Sequence, residues 1–171
     1  MAKPTLYLFV GYPGAGKTTV SQLIEEETGA IHLWVDRERQ KMFDVPTHSL
    51  PESAELYGYL NELTGQLLCD GKSVIFDTNF NYRKDRDYLR TIATKNNANT
   101  LVVWITTPKE LAKKRATDPA HRERNGYEAT MSPEDFDRLS NHLQEPTKDE
   151  NFIKIDATDL DIINAKRQLK L

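Results

Sequence analysis

The feature that most constrains the fold is a glycine-rich loop between an apolar run and a helical pattern. Residues 11–18 have the sequence GYPGAGKT, which matches the pattern of glycine, four residues, glycine, lysine and serine or threonine. Residues 5–10 are continuously apolar, as in a strand covered on both faces of a parallel sheet. A helical pattern follows the loop and ends at Gly29, a natural left-handed helix stop. The sequence therefore predicts a strand, a tight loop and a helix in succession.

Each residue type in this loop suits the binding of a phosphate chain. Glycines let backbone N–H groups turn inward around a phosphate, and the helix N-terminus adds partial positive charge. Lys17 would bridge the β- and γ-phosphates, and the hydroxyl of Thr18 would ligate Mg²⁺. A chance match in a glycine-rich turn is the alternative, and the flanking strand and helix argue against it. We therefore expect ATP and Mg²⁺ as cofactors, bound by the consecutive residues Tyr12, Pro13, Gly14, Ala15, Gly16, Lys17, Thr18 and Thr19.

The rest of the chain alternates between short apolar runs and helical patterns. The apolar runs predict four more strands, at residues 30–35, 73–76, 99–105 and 152–155. Strands that alternate with helices require a parallel sheet with helices on both faces. The predicted fold class is α/β: a P-loop NTPase three-layer sandwich over residues 1–171, with a five-stranded parallel sheet in the order 2-3-1-4-5.

Carboxylates follow the second and third predicted strands at the edge of the sheet where ligands bind. Asp77 is expected to hold Mg²⁺, although it could instead cap a helix. Asp36 could accept the proton of an attacking hydroxyl, with Arg39 on the same helical face to hold an anionic acceptor or the moving phosphoryl group. A helix cap with a surface ion pair is the alternative for Asp36 and Arg39. Asn79 could contact the acceptor or only form a turn.

A polar segment at residues 118–131 shows neither hydrophobic period, and we expect a mobile lid at about 113–132. Arginines that a closing lid brings over the γ-phosphate can stabilise the departing phosphoryl group. Arg115 and Arg122 are the candidates, Arg115 as a nucleotide contact as well, and Arg124 competes with Arg122 for its position. A solvated face is the alternative for any single one of these cations.

Composition adds further expectations. The formal net charge of −3 argues against a protein that coats long nucleic acid. The single cysteine, Cys69, fits a reducing compartment and is expected to fill a gap in the core. No apolar stretch approaches the roughly 20 residues that span a bilayer. We therefore expect a cytoplasmic location without a membrane partner. The charged helix at residues 82–95 is expected to present a solvated face.

Three segments together resemble the small P-loop kinases, with an AAA-type ATP-binding domain, that include the phage polynucleotide 5′-hydroxyl kinase, chloramphenicol phosphotransferase and the zeta toxins. These segments are GYPGAGKTT, VDRERQKMF and FDTNFNYRKDR, and the likeness extends from Gly11 to about Leu139. The resemblance implies a set of roles: a general base at Asp36, an acceptor contact at Arg39, phosphate and Mg²⁺ contacts at Lys17 and Thr18, and lid arginines at Arg115 and Arg122.

The residues and the resemblance favour an ATP-dependent kinase with a hydroxyl-bearing acceptor. A nucleic-acid 5′ end, a sugar nucleotide and a small alcohol all remain open as that acceptor. A nucleoside monophosphate kinase shares the fold, but its phosphate acceptor needs no carboxylate base such as Asp36. An ATP-hydrolysing binding module without an acceptor would not need Asp36 either.

Overall fold

The computed structural model describes residues 2–124, 130–159 and 161–170, except for the side chains of residues 122–124 and 162–163. In these ranges the elements follow one another in the order β1 (Thr5–Val10), α1 (Lys17–Thr28), β2 (Ile31–Trp34), α2 (Val35–Met42), α3 (Leu50–Cys69), β3 (Val74–Asp77), α4 (Arg83–Lys95), β4 (Asn99–Ile105), α5 (Lys109–Thr117), α6 (Pro119–Arg124), α7 (Pro133–Ser140), β5 (Phe152–Ile155) and α8 (Ile162–Leu169).

The five strands form one parallel sheet in the order β2-β3-β1-β4-β5. This order and the parallel arrangement confirm the fold predicted from the sequence. Leu8 of β1 lies opposite Phe76 on one side and Val102 on the other. Because all strands run the same way, their carboxyl ends meet at one edge of the sheet, and the polar residues that follow them are gathered there.

Side chains alternate between two apolar clusters along β1, one on each face of the sheet. Leu6 and Leu8 belong to a cluster that includes residues of α3 and α4. Phe9 belongs to the other, with Val20 and Ile24 of α1. Helices therefore cover both faces, as the predicted three-layer arrangement requires.

Several element boundaries differ from the sequence prediction. β2 ends at Trp34, so α2 begins one residue before Asp36, and α8 begins at Ile162 rather than near Thr158. The segment expected to be an irregular lid contains the short helix α6, which begins at a proline, a residue favoured in a first helical turn. Six residues are too few to produce a hydrophobic period. Residues 125–129 of the same segment lie outside the described ranges.

Two expectations about burial are wrong. Arg86 of the charged helix α4 is fully buried against Glu150 rather than solvated, because an acid supplied from far along the chain offsets its charge. Cys69 is exposed at the end of α3. The buried face of α3 passes through Leu68, and the next residue is turned about 100° away from it. None of the helices within the described ranges is long and apolar enough to cross a membrane.

Candidate functional site

A cleft of about 600 Å³ lies at the carboxyl edge of the sheet. It brings together most of the predicted site residues, namely Pro13, Gly14, Gly16, Lys17, Thr18, Thr19, Asp36, Arg39, Asp77, Asn79 and Arg115. Tyr12 and Ala15 belong to the same loop but are not part of the cleft wall. The ring of Tyr12 packs 6.3 Å from that of Phe136, and Ala15 is fully buried. Arg122 was also predicted as a site residue, but its side chain lies outside the part of the chain that the structure describes.

The glycine-rich loop joins β1 to the first turn of α1. Gly14 and Gly16 have positive φ angles of 74° and 108°, which residues with side chains rarely adopt. A Cβ atom on Gly14 would also lie 2.4 Å from the carbonyl oxygen of Ala112 in α5. Two constraints therefore require a glycine at position 14, namely the positive φ angle and the close approach of α5.

Two buried polar side chains hold this loop in place. The side-chain amide of Asn81 accepts a hydrogen bond from the Gly11 N–H and donates one to the Gly11 carbonyl oxygen, each at 3.1 Å. The Thr107 hydroxyl donates to the Ala15 carbonyl oxygen at 2.7 Å. Neither residue was predicted from the sequence. Asn81 follows β3 closely and Thr107 follows β4 closely, and these positions at the carboxyl edge of the sheet could have indicated them.

The Lys17 ammonium lies inside the loop. It donates to the carbonyl oxygens of Gly11 at 3.1 Å and Tyr12 at 2.5 Å, and the residue is only 9% exposed. The amine predicted to bind phosphate is thus held by the loop's own backbone.

Asp77 is the last residue of β3 and is buried at the base of the cleft. Its Oδ2 atom lies 2.7 Å from the Ser21 hydroxyl and 3.0 Å from His32 Nε2. The other ring nitrogen of His32, Nδ1, lies 2.8 Å from Glu25 Oε2. Burial alone would lower the pKa of His32, but the hydrogen bonds and negative charges of Asp77 and Glu25 outweigh it and raise the pKa. Neither His32 nor Glu25 was predicted from the sequence.

Thr18 and Asp77 offer oxygen ligands, the kind that Mg²⁺ prefers. Among the described residues no group of three or more His, Cys, Asp or Glu side chains could hold a metal ion. Magnesium usually takes only one or two protein oxygens and completes its shell with water and substrate phosphates. The residues present therefore fit Mg²⁺ that binds together with the phosphates of a nucleotide.

Asp36 and Arg39 both lie on α2 and both line the cleft. The Arg39 guanidinium is buried, forms an ion pair with Glu52 and lies 3.3 Å from the Ser53 hydroxyl. Its Nε atom is buried without a hydrogen-bond partner. Asp36 does not cap α2, because the N-cap residue is Trp34. Arg39 therefore borders the cleft with a charge that Glu52 offsets.

Glu52, which the sequence analysis did not anticipate, organises the turn between α2 and α3. Its carboxylate accepts hydrogen bonds from the Thr47 N–H at 2.6 Å, the Thr47 hydroxyl at 2.7 Å and the His48 N–H at 3.2 Å. The Thr47 N–H has the largest effect, and together with the Thr47 hydroxyl and Arg39 it lowers the pKa of Glu52 to about 2 despite burial. His48 has a positive φ of 55° and lines the cleft.

The wall beside Asp36 is largely aromatic and apolar, with Trp34, Val35, Tyr57 and Leu139. Tyr57 stacks on Phe76, and its hydroxyl lies 2.9 Å from the Thr78 hydroxyl. Burial raises the pKa of Tyr57, so this hydroxyl stays protonated at neutral pH. The guanidinium of Arg37 lies 4.5 Å from the ring centre of Trp34, a cation–π contact.

Arg115 lines the cleft, and backbone carbonyls hold its side chain. Its guanidinium donates to the carbonyl oxygens of Ala157 at 3.0 Å and Thr158 at 2.8 Å, in the segment after β5. That segment borders the glycine-rich loop, since a Cβ on Gly16 would lie 3.4 Å from the Ala157 side chain. In the structure Arg115 therefore links α5 to the segment after β5.

Residues 6–146 match the family model of the AAA domain. The chain belongs to the AAA domain family. The match includes the glycine-rich loop, both cleft carboxylates and Arg115. No curated protein matches this AAA domain in sequence.

Solved structures share the fold of this AAA domain over nearly its whole length. A protein from Chloroflexus aurantiacus provisionally described as a kinase has a TM-score of 0.75 and 20% identity, covering 99% of this chain and 96% of that one. The APS kinase CysC of Mycobacterium tuberculosis, in complex with AMPPNP and APS, has a TM-score of 0.66 and 20% identity, with 99% and 98% covered. A gluconokinase from Sinorhizobium meliloti has a TM-score of 0.65 and 17% identity, with 96% and 87% covered.

At these identities the likeness shows the fold alone, which is that of P-loop kinases. The narrower resemblance of this AAA domain to polynucleotide kinase, chloramphenicol phosphotransferase and the zeta toxins stays a prediction.

Proposed function

We propose that this AAA domain is an ATP-dependent phosphotransferase that moves the γ-phosphoryl group of ATP to a hydroxyl acceptor. The proposal rests on Asp36, which lines the same cleft as Asp77 and as Lys17 of the glycine-rich loop. A nucleotide-controlled binding module needs the loop and Asp77, but it has no chemical use for a second carboxylate in that cleft. Structural likeness to an APS kinase and a gluconokinase supports the same class of reaction.

In the proposed reaction the acceptor hydroxyl oxygen bonds to the γ-phosphorus while the bond from that phosphorus to the β–γ bridging oxygen breaks. ADP leaves with the bridging oxygen and its electron pair, and the hydroxyl proton passes to a carboxylate oxygen of Asp36. Lys17, whose ammonium lies inside the loop, stabilises the charge of the phosphates. Magnesium, bound through Thr18 and Asp77, would neutralise further charge on the β- and γ-phosphates.

The two candidate arginines take different roles in this proposal. Arg115 is already bound to the carbonyls of Ala157 and Thr158, so we assign it to the nucleotide side of the cleft, where it fixes the segment beside the glycine-rich loop. Arg122 is the proposed lid arginine that approaches the transferring phosphoryl group. Its role comes from the sequence alone, through the cations of the expected lid and the resemblance to small P-loop kinases.

The acceptor side of the cleft favours an uncharged group next to Asp36. The positive charge of Arg39 is already paired with Glu52, so its guanidinium is a weaker partner for an anionic acceptor than an unpaired arginine would be. Leu139 offers exposed apolar surface in the cleft instead, and Trp34 lines the cleft although Arg37 lies over its ring. We therefore propose an acceptor that presents a neutral hydroxyl with a ring or apolar portion beside it. A nucleoside-like 5′ end or an aromatic alcohol meets this description better than a sugar acid.

The test is an acceptor screen with ATP labelled at the γ-phosphate. The acceptors are single-stranded oligonucleotides with a 5′-hydroxyl, nucleosides, aromatic alcohols, sugar acids and nucleoside monophosphates. Label is expected on a neutral alcohol. Asp36→Asn is expected to reduce the transfer at least 100-fold while ATP still binds, because general-base catalysis contributes about 10²–10⁴-fold. Lys17→Ala is expected to abolish it.

Asp44→Asn is the matched control, since it neutralises an exposed carboxylate in the segment that follows the same helix. It is expected to leave transfer unchanged. Label on a nucleoside monophosphate, insensitive to Asp36→Asn, would point to the alternative monophosphate kinase. Release of free phosphate alone, also insensitive to that change, would point to a hydrolysing module and refute the proposal.

A further inference from the structure

We propose that His32 is a positioning residue that orients Asp77 for magnesium, with Glu25 holding the far side of its ring. This inference rests on the proposed function, which assigns Asp77 to magnesium. Three side chains form a continuous path from the protein surface to the cleft. Glu25 Oε2 lies 2.8 Å from His32 Nδ1, and His32 Nε2 lies 3.0 Å from Asp77 Oδ2.

The three residues come from three elements that the fold packs together. Asp77 ends β3, His32 lies on the neighbouring strand β2, and Glu25 lies on α1, which packs against both strands. Ser21 and Glu25 are four residues apart and therefore share one face of α1, the face toward these strands. The His32 side chain is only 5% exposed, whereas that of Glu25 is 48% exposed. The ring is thus enclosed, with a carboxylate at each nitrogen.

Ser21 has two competing acceptors, one of which is Asp77. Its hydroxyl oxygen lies 2.7 Å from Asp77 Oδ2 and 2.8 Å from the Thr18 carbonyl oxygen, and a hydroxyl has only one proton to donate. Because a carboxylate oxygen can only accept, His32 donates to Oδ2 in any form that carries the Nε2 proton, whichever acceptor Ser21 serves. Among the described residues, both hydrogen-bond contacts of Asp77 engage Oδ2, so in this proposal Oδ1 is the atom that binds the cation.

If His32 only linked α1 to the sheet, its replacement would lower the stability of the protein and leave metal affinity unchanged. A positioning role predicts something different, because a partner that orients a metal-binding carboxylate changes metal affinity by about 10–100-fold when it is removed. The gain in nucleotide affinity that magnesium provides is therefore the measurement that separates the two roles. That gain is an equilibrium property and requires no turnover.

The experiment uses the full chain and a fluorescent, non-hydrolysable ATP analogue, titrated with saturating Mg²⁺ and again with EDTA. The ratio of the two Kd values gives the magnesium gain. His32→Ala is expected to reduce this gain about tenfold while the Kd in EDTA stays within about twofold of the wild type. His32→Gln, which can still donate to Asp77, is expected to restore part of the gain. Glu25→Gln, at a half-exposed site that the fold tolerates, is expected to reduce it by about two- to threefold.

Asp77→Asn and His142→Ala are the controls. His142 stacks on Tyr82 and is not part of the cleft wall, so its replacement is expected to leave the gain intact. Asp77→Asn is expected to remove most of the gain. If Asp77→Asn behaves as expected but His32→Ala and Glu25→Gln keep the full gain, with only a lower Tm, the positioning role is refuted and the proposed function stands. If Asp77→Asn keeps the gain, the magnesium role of Asp77 and the positioning role of His32 are both refuted. If the wild type binds no nucleotide, the proposed function is refuted as well.

Discussion

Arg86 and Glu150 form a two-point ion pair in the interior, and neither side chain is exposed to solvent. Arg86 Nε lies 2.7 Å from Glu150 Oε1, and Nη2 lies 3.0 Å from Oε2. The remaining guanidinium nitrogen, Nη1, donates to the Phe80 carbonyl oxygen at 2.8 Å. Asn81, the next residue along, makes both hydrogen bonds to Gly11. The pair therefore joins α4 and the segment before β5 to the backbone that supports the glycine-rich loop.

Removing one partner of this pair should destabilise the protein strongly. Glu150→Gln leaves Arg86 as an uncompensated buried charge, which typically costs about 3–5 kcal/mol. We expect that loss in the free energy of unfolding measured with urea at neutral pH. Arg138→Gln is the control, because Arg138 and Asp135 form an exposed pair worth at most about 1 kcal/mol. Equal small losses in the two variants would contradict the assignment.

Glu52 should make stability depend on pH in the acid range. Its pKa is about 2 in the folded protein, chiefly because the Thr47 N–H donates to it, against an ordinary value of 4.5. A lowered pKa contributes stability above pH 4.5, and this contribution is lost as the pH falls from about 4.5 to about 2. We therefore expect Glu52→Gln to have a lower Tm than the wild type at neutral pH, and the difference to shrink as the pH falls through that range. A difference that stays constant from pH 7 to pH 2 would contradict this.

Two glycines should respond in opposite ways to replacement by alanine. Gly14→Ala forces a Cβ to 2.4 Å from the Ala112 carbonyl oxygen at a φ of 74°, so we expect ATP binding to weaken at least tenfold. Gly58 lies inside α3, where an added Cβ meets no atom within 4 Å. Gly58→Ala should therefore stabilise the protein by about 0.5–1 kcal/mol. Equilibrium unfolding and ATP titration of both variants measure the contrast.

Features carried by a local pattern could be predicted from the sequence. The strand order, the glycine-rich loop, and the placement of Asp36 and Asp77 at one edge of the sheet all follow from short motifs and the rules of parallel sheets. Three polar pairs could not be predicted, because their partners are distant in sequence: His32 and Asp77 are 45 residues apart, Arg86 and Glu150 are 64 apart, and Gly11 and Asn81 are 70 apart.

The buried charges were not predicted for the same reason, because their partners are distant in sequence. Arg86 lies in a charged helix, and no residue near it in the sequence indicates that Glu150, which lies beyond α7, pairs with it. Glu52 follows a proline at the start of α3 and is typical of a first helical turn, so nothing nearby indicates that it binds Arg39. One-dimensional patterns report which face of an element is apolar, whereas the pairing of buried charges depends on which elements the fold brings together.

Arg115 allows a nucleotide-anchoring role to be separated from a catalytic one. Its two hydrogen bonds to the carbonyls of Ala157 and Thr158 need the planar, forked guanidinium, which lysine cannot reproduce although it keeps the charge. If Arg115 fixes the segment after β5, Arg115→Lys should raise the Kd for ATP about tenfold and leave kcat within about threefold of the wild type. An arginine that acts on the transferring phosphoryl group would instead lower kcat by about 10³-fold or more with little change in Kd. ATP titration and single-turnover transfer with the acceptor found in the screen decide between them, and a collapse of kcat alone would return Arg115 to the catalytic role that the sequence predicts.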